Sequence, residues 1–235
     1  MKFTKNSLLS GAQAVMTILL LFFIYHLSRQ AAMLTSASAV SSPGPVVVID
    51  SGHGGRDPGK IGIDGSLEKD LNLEIAKKLK SYLEQSDVTV IMTRDNDSGL
   101  YDSKDDNKKM ADMKARCDLI NRTAPALTVS IHQNSYHEEP VSGGQVFYYK
   151  DSEKGKRLAE ILQKRFDFVL GENNRRTAKP NANYYLLLHV RSPIVIVECG
   201  FLSNQAEASL LNTPEYQDRL AWTIHMGIME YLNAQ

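Results

Sequence analysis

Three short runs constrain this chain more than anything else in it: Val46–Asp50 (VVVID), Leu127–His132 (LTVSIH) and Ile194–Glu198 (IVIVE). Each is largely β-branched or apolar, and each ends on an ionisable side chain. A strand that does not alternate between apolar and polar is buried on both faces, as in a parallel sheet covered by helices on each side. The segments between them supply those helices. Ser66 can cap a helix whose apolar positions Leu71, Ile75, Leu79 and Tyr82 follow helical spacing, and Asp105–Asn121 and Glu153–Val169 suit two more. Pro214 after Thr213 opens a closing helix with Leu220, Ile224, Gly227, Ile228 and Tyr231 on one face. Further strands are expected at Val88–Met92, Gly144–Tyr149 and Tyr184–His189. The alternation predicts a single α/β domain over residues 45–235, with a mostly parallel twisted sheet flanked by helices.

The N-terminal part reads differently. Residues 8–27 contain no charged side chain, and 20 residues of helix span about 30 Å, the thickness of a hydrocarbon core. Lys2 and Lys5 precede this run, so 1–7 is expected in the cytoplasm, 8–27 as a transmembrane signal-anchor, 28–44 as a linker, and the domain on the extracytoplasmic face. The small residues Ala37-Ser38-Ala39 offer a cleavage site that would make the protein secreted instead, but the apolar run is longer than a usual signal peptide core. The whole chain balances 27 Lys plus Arg against 27 Asp plus Glu, so no basic field recruits nucleic acid. Two cysteines make no disulfide framework.

Chemistry-bearing residues sit where expected strands end or helices begin, the edge at which open α/β sheets build their sites. His53 follows the first strand in the glycine-rich DSGHGG. Glu68 lies in the first turn of the next helix, and with Lys69 at the position a capping box would give to Glu or Gln, it is not tied up in that local role. His132 ends its strand two residues before Asn134. Two imidazoles and one carboxylate form a three-ligand set with an open fourth position, the catalytic rather than the structural pattern for zinc. Such an ion lowers the pKa of bound water, and Glu198 at the end of IVIVE is the candidate base.

Blander readings stand beside these. The glycines of DSGHGG lack the Gly-Lys-Ser/Thr ending of a phosphate loop. Glu68 could serve only the helix dipole, His132 could be a core histidine, and Glu198 could pair with Arg94 or Arg116. Cys199 suggests a thiol mechanism, but strand neighbours face opposite ways, so Glu198 and Cys199 cannot share a cleft. His137, His189 and His225 are expected outside the site, and Asp95, Asp97, Asp102, Asp105 and Asp106 read as a solvated loop.

The strings DSGHGGRDPG, GSLEKDLNLEIAKKL, VTVIMTRDND, SIHQNS and VECGFLSN occur in that order and resemble the zinc-dependent N-acetylmuramoyl-L-alanine amidases of the Amidase_3 type over residues 45–233. The resemblance implies zinc ligands at His53, Glu68 and His132, catalysis by Glu198, and one Zn²⁺ ion. It implies peptidoglycan as substrate, hydrolysed between N-acetylmuramic acid and L-alanine; by position, Asn134 is the neighbouring donor expected to contact the substrate oxyanion. Ser51 stands where the family usually has Pro, and Gln133 where a small residue is common. A bare domain behind a short anchor, together with ADMKARCDLIN, is most similar to the germination-specific members that act on spore cortex. With no wall-binding module of its own, such a domain is expected to need an activating or targeting protein partner. The alternative is a membrane-tethered, catalytically silent scaffold.

Overall fold

The computed structural model describes residues 5–38, 44–171 and 174–234, and within the first stretch the side chains of 13 and 15–30 alone. The chain divides into two compact units, Met1–Pro43 and Gly44–Gln235. The first contains helix α1 (Lys5–Ser38). Among the described residues no helix is long and apolar enough to cross a membrane, so the spanning segment expected at 8–27 is not borne out. The side chains of 8–12 and 14 lie outside the described residues, and the described apolar stretch 15–27 covers only about 20 Å of helix.

In the second unit, six strands form one sheet in the order β2-β1-β3-β6-β4-β5. These are β1 (Val46–Ser51), β2 (Thr89–Met92), β3 (Leu127–Asn134), β4 (Gln145–Tyr149), β5 (Lys179–Asn181) and β6 (Ile194–Phe201). The pairs β1·β2, β1·β3, β3·β6 and β4·β5 are parallel, and only β4·β6 is antiparallel. The three apolar runs are therefore adjacent central strands, and β6 is buried along its whole length. Helices α2 (Glu68–Glu84), α4 (Glu153–Leu170) and α7 (Pro214–Asn233) pack with Val47, Ile49, Val129, Ile131, Val195 and Val197 on one face. Helices α3 (Lys108–Thr123) and α5 (Tyr185–His189) cover Val48 and Ile196 on the other. Helix α6 (Gln205–Leu211) follows β6.

Thr213 caps α7 by accepting from the Tyr216 amide, with Pro214 in its first turn, as the sequence indicates. Three details differ. Tyr184–His189 is not a strand. The Asn181 side chain accepts from the amides of Asn183 and Tyr184, turning the chain into α5, and a run as short as YLLL fits either periodicity. Helix α2 is preceded by Leu67 without a side-chain cap, because the Ser66 hydroxyl donates to Asp64 instead. Strands β3 and β6 also continue past His132 and Glu198, with a register irregularity between His132 and Asn134. Such an irregularity re-aims side chains at a sheet edge.

Candidate metal centre

Register places two of the three ionisable strand ends side by side, and the third lies two residues short of them. Asp50 is level with Ser130, and His132 is level with Glu198. Residues level in a parallel pair share a face, here the α3/α5 face. Glu68 reaches the same edge from the first turn of α2, and His53 from the loop after β1. His53 Nε2 lies 3.2 Å from Glu68 Oε1, and His132 Nδ1 lies 2.9 Å from the same oxygen. The two imidazole rings meet edge to face with centroids 5.0 Å apart. One ligand atom from each of the three residues falls within 4.8 Å of the others. Donors held by bonds of 2.0–2.2 Å around a tetrahedral ion stand about 3.3 Å apart, close to the two distances seen. The donor set therefore fits one divalent ion.

The surroundings hold these donors in place. Glu68 Oε2 accepts from the Lys60 amide at 2.8 Å and Oε1 from the Gln133 amide at 3.1 Å. Burial works to raise the Glu68 carboxyl, but the two histidines outweigh it and hold it well below the usual carboxylate range. For His132, burial favours the neutral ring, and Glu68 more than offsets that and raises its proton affinity. His53 Nδ1 is 3.0 Å from Asp57 Oδ2, which fixes the ring so that Nε2 faces Glu68. Sequence reasoning missed Asp57, although its position four residues after a candidate ligand in a tight loop was the available signal.

Glu198 is 8% exposed and its Oε2 has no hydrogen-bond partner. Burial pushes its pKa to about 7, with His132 acting in the opposite direction and Glu68 adding to the rise. It does not pair with Arg94 or Arg116: Arg116 bonds Asp50 and Asp112, and Arg94 bonds backbone carbonyls. A cleft of about 600 Å³ joins His53, Glu68, His132 and Glu198 to Asn134 and Tyr184. Asn134 uses its Oδ1 to accept from the Ser135 amide, which leaves its amide nitrogen as the free donor.

The family profile described as N-acetylmuramoyl-L-alanine amidase matches residues 47–230, nearly the whole of the second unit. The chain belongs to this family. The amidase is 37% identical over 217 residues to the germination-specific N-acetylmuramoyl-L-alanine amidase of Bacillus subtilis, covering 91% of this chain and 90% of that one. Among solved structures it is similar to the CwlD amidase from Clostridioides difficile in complex with the GerS lipoprotein, at 38% identity and a TM-score of 0.79. That match covers 82% of this chain and all of the other. The catalytic domain of CwlV from Bacillus (Paenibacillus) polymyxa gives 32% identity and a TM-score of 0.70, covering 81% and 99%. The protein is thus an amide hydrolase of the N-acetylmuramoyl-L-alanine amidase type.

The remaining candidates fall outside the amidase cleft. Cys199 is fully buried in the core on the α2/α4/α7 face, and burial raises its thiol far above neutrality. His225 is buried beside Ser86, His189 stacks on Tyr185, and His137 is exposed. The aspartate segment is less idle than its composition suggests, because Asp97 accepts from the Gly55 amide and from Lys69.

Proposed function

We propose that this amidase hydrolyses the bond between the lactyl group of N-acetylmuramic acid and the L-alanine of the stem peptide, using His53, Glu68 and His132 to hold one Zn²⁺ ion and Glu198 as the base. The observation that carries this reading is the unpartnered, buried Oε2 of Glu198, level with His132 in the same cleft as the His–Glu–His cluster. A divalent ion bound there supplies Lewis acidity, polarising the scissile carbonyl and acidifying water. Glu198 takes the proton from the attacking water and returns it to the leaving amine of L-alanine, and burial raises its proton affinity in the direction that suits both transfers. Asn134 donates to the oxygen that becomes negative as the tetrahedral intermediate forms.

We also infer a place in spore cortex maturation, supported by the likeness to the germination-specific relative over nine-tenths of both chains. A lipoprotein partner that targets or activates the enzyme is supported by the relative solved together with one. Mass spectrometry of muropeptides after incubation with the purified protein tests the reaction: free stem peptides and peptide-free muramic acid are expected. Glu198→Gln is expected to keep the metal and lose turnover by about 10²–10⁴-fold. Retained turnover removes Glu198 from the base role.

A further inference from the structure

We propose that Arg94 is a positioning residue of the metal centre, clamping the carbonyls of Ser51, Gly52 and His53 so that His53 is presented to Glu68 and His132 from a left-handed backbone. This rests on the reading of His53 as a ligand. His53 has φ 62°, a conformation that residues with a Cβ seldom adopt unless the surroundings impose it. The imposing group is a guanidinium only 5% exposed. Arg94 Nε donates to Ser51 O at 2.9 Å and to His53 O at 2.7 Å, and Nη2 donates to Gly52 O at 3.0 Å and Lys69 O at 2.7 Å. Nη1 donates to Asn96 O at 2.9 Å.

Every one of these acceptors is a main-chain oxygen, and among the described residues Arg94 has no ion pair with a carboxylate. A buried cation without a counter-ion is costly unless its hydrogen bonds are all made. Here they are made by three successive peptide carbonyls, those of Ser51, Gly52 and His53, all turned to the one guanidinium. Gly54 lies so close that a Cβ there would sit 2.8 Å from both Cδ and Nε of Arg94. Arg116 touches the carbonyls of Ser51 and His53 too, but it also neutralises Asp50 and Asp112, so its loss would disturb more than the loop. Lys69 O ties the same guanidinium to the first turn of α2, next to Glu68. One side chain thus sets the distance between the loop that carries His53 and the helix that carries Glu68.

The test compares the full-length protein with Arg94→Met, Arg94→Lys, His53→Ala and a distant control, Leu162→Ala, whose fully buried side chain lies where α4 meets α7. Metal affinity is read by titrating the apo-protein with Zn²⁺ and Co²⁺ against a chromogenic chelator, at a temperature where each variant is folded. Amide hydrogen exchange at Gly54, Gly55 and Arg56 is read in the absence of metal. Arg94→Met is expected to lower affinity by about 10–100-fold and to speed exchange at those three amides. Arg94→Lys is expected to fall between, since a compact ammonium cannot span five carbonyls. Leu162→Ala is expected to lower the melting temperature while keeping wild-type affinity. Wild-type affinity in Arg94→Met overturns the proposal, as does an equal loss in Leu162→Ala. If Arg94→Met does not fold, Arg94→Lys decides, and wild-type affinity there is the overturning result. His53→Ala separates the two readings: undiminished metal binding in that variant overturns the ligand assignment itself.

Discussion

Adding a single methyl group at residue 52 is expected to disable the centre without removing any ligand. A Cβ built on Gly52 lies 2.3 Å from His132 Cε1, 2.4 Å from Nε2 and 2.8 Å from Nδ1. Ordinary contacts of this kind begin near 3.4 Å, so loop and ring must separate by about 1 Å. The loop is poorly placed to give way. The Gly52 amide donates to Ile131 O at 3.1 Å, and its carbonyl accepts from Asn72 and Arg94. The backbone of Gly52 lies outside the left-handed region, so alanine is strained there by contact rather than by φ. The ring therefore moves, by about five times the roughly 0.2 Å latitude of a metal–ligand bond. Gly52→Ala is expected to weaken zinc binding by about 100-fold or more, equivalent to at least about 2.8 kcal/mol at about 1.4 kcal/mol per decade. The overpacking itself costs about 1–3 kcal/mol of stability. Chelator competition on the apo-protein measures the first quantity and urea unfolding the second. A folded Gly52→Ala protein with wild-type zinc affinity would show that His132 does not need its present position, and would refute the geometric argument for the ligand set.

Asp57→Asn removes the carboxylate beside His53 Nδ1 and is expected to lower metal affinity by about 10–100-fold with little change in melting temperature; unaltered affinity in chelator competition would count against an orienting role. Gly227→Ala places a Cβ 2.5 Å from Leu162 Cδ2 between α7 and α4 and is expected to cost about 1–3 kcal/mol in urea unfolding while leaving turnover per folded molecule unchanged. Asp50 follows a pH rule. Burial acts to raise its carboxyl, but Arg116, Ser130 and Thr93 together hold it at about 2, below the ordinary 3.8. That depressed value contributes about 2 kcal/mol above roughly pH 4, lost as the pH falls through about 2. Arg116→Met is expected to cost about 3–5 kcal/mol at pH 7 by leaving Asp50 unpaired, and to flatten the acid dependence between pH 4 and 2; a steep dependence surviving in the variant would assign it to other groups.

The amino-acid pattern carries the central strands and the metal cluster because both depend on side-chain type. VVVID, LTVSIH and IVIVE read as adjacent inner strands, and His132 and Glu198, ending two of the runs, fall level once those strands are parallel and in register, whereas Asp50 stops level with Ser130 and pairs with Arg116 instead. The α5 segment was not legible, because YLLL has no period of its own and its conformation is set by Asn181 accepting two amides just upstream. The limits of β3 and β6 were hidden for a related reason: His132 and Glu198 look like strand ends by polarity, whereas the ladder continues to Asn134 and Phe201 across an irregularity.

The supporting apparatus of the site was less visible still, and for a physical reason. Arg94 lies in TRDND among three charged or amide neighbours, and the sequence suggests for it only an ion pair with Glu198. Its partners are carbonyl oxygens, which every residue possesses, so no residue type elsewhere in the chain signals the pairing. The one local hint is the glycine spacing around His53. Gly52 leaves room for the His132 ring and Gly54 for the Arg94 side chain, so each of the two glycines nearest His53 accommodates a different wall of the site. Glycines of that kind mark close approach by something, but only the folded chain tells which something it is. Ligand identity is therefore written in side chains, while the placement of the ligands is written in main-chain contacts that become readable only once the sheet has brought residues 51–53 and 94 together.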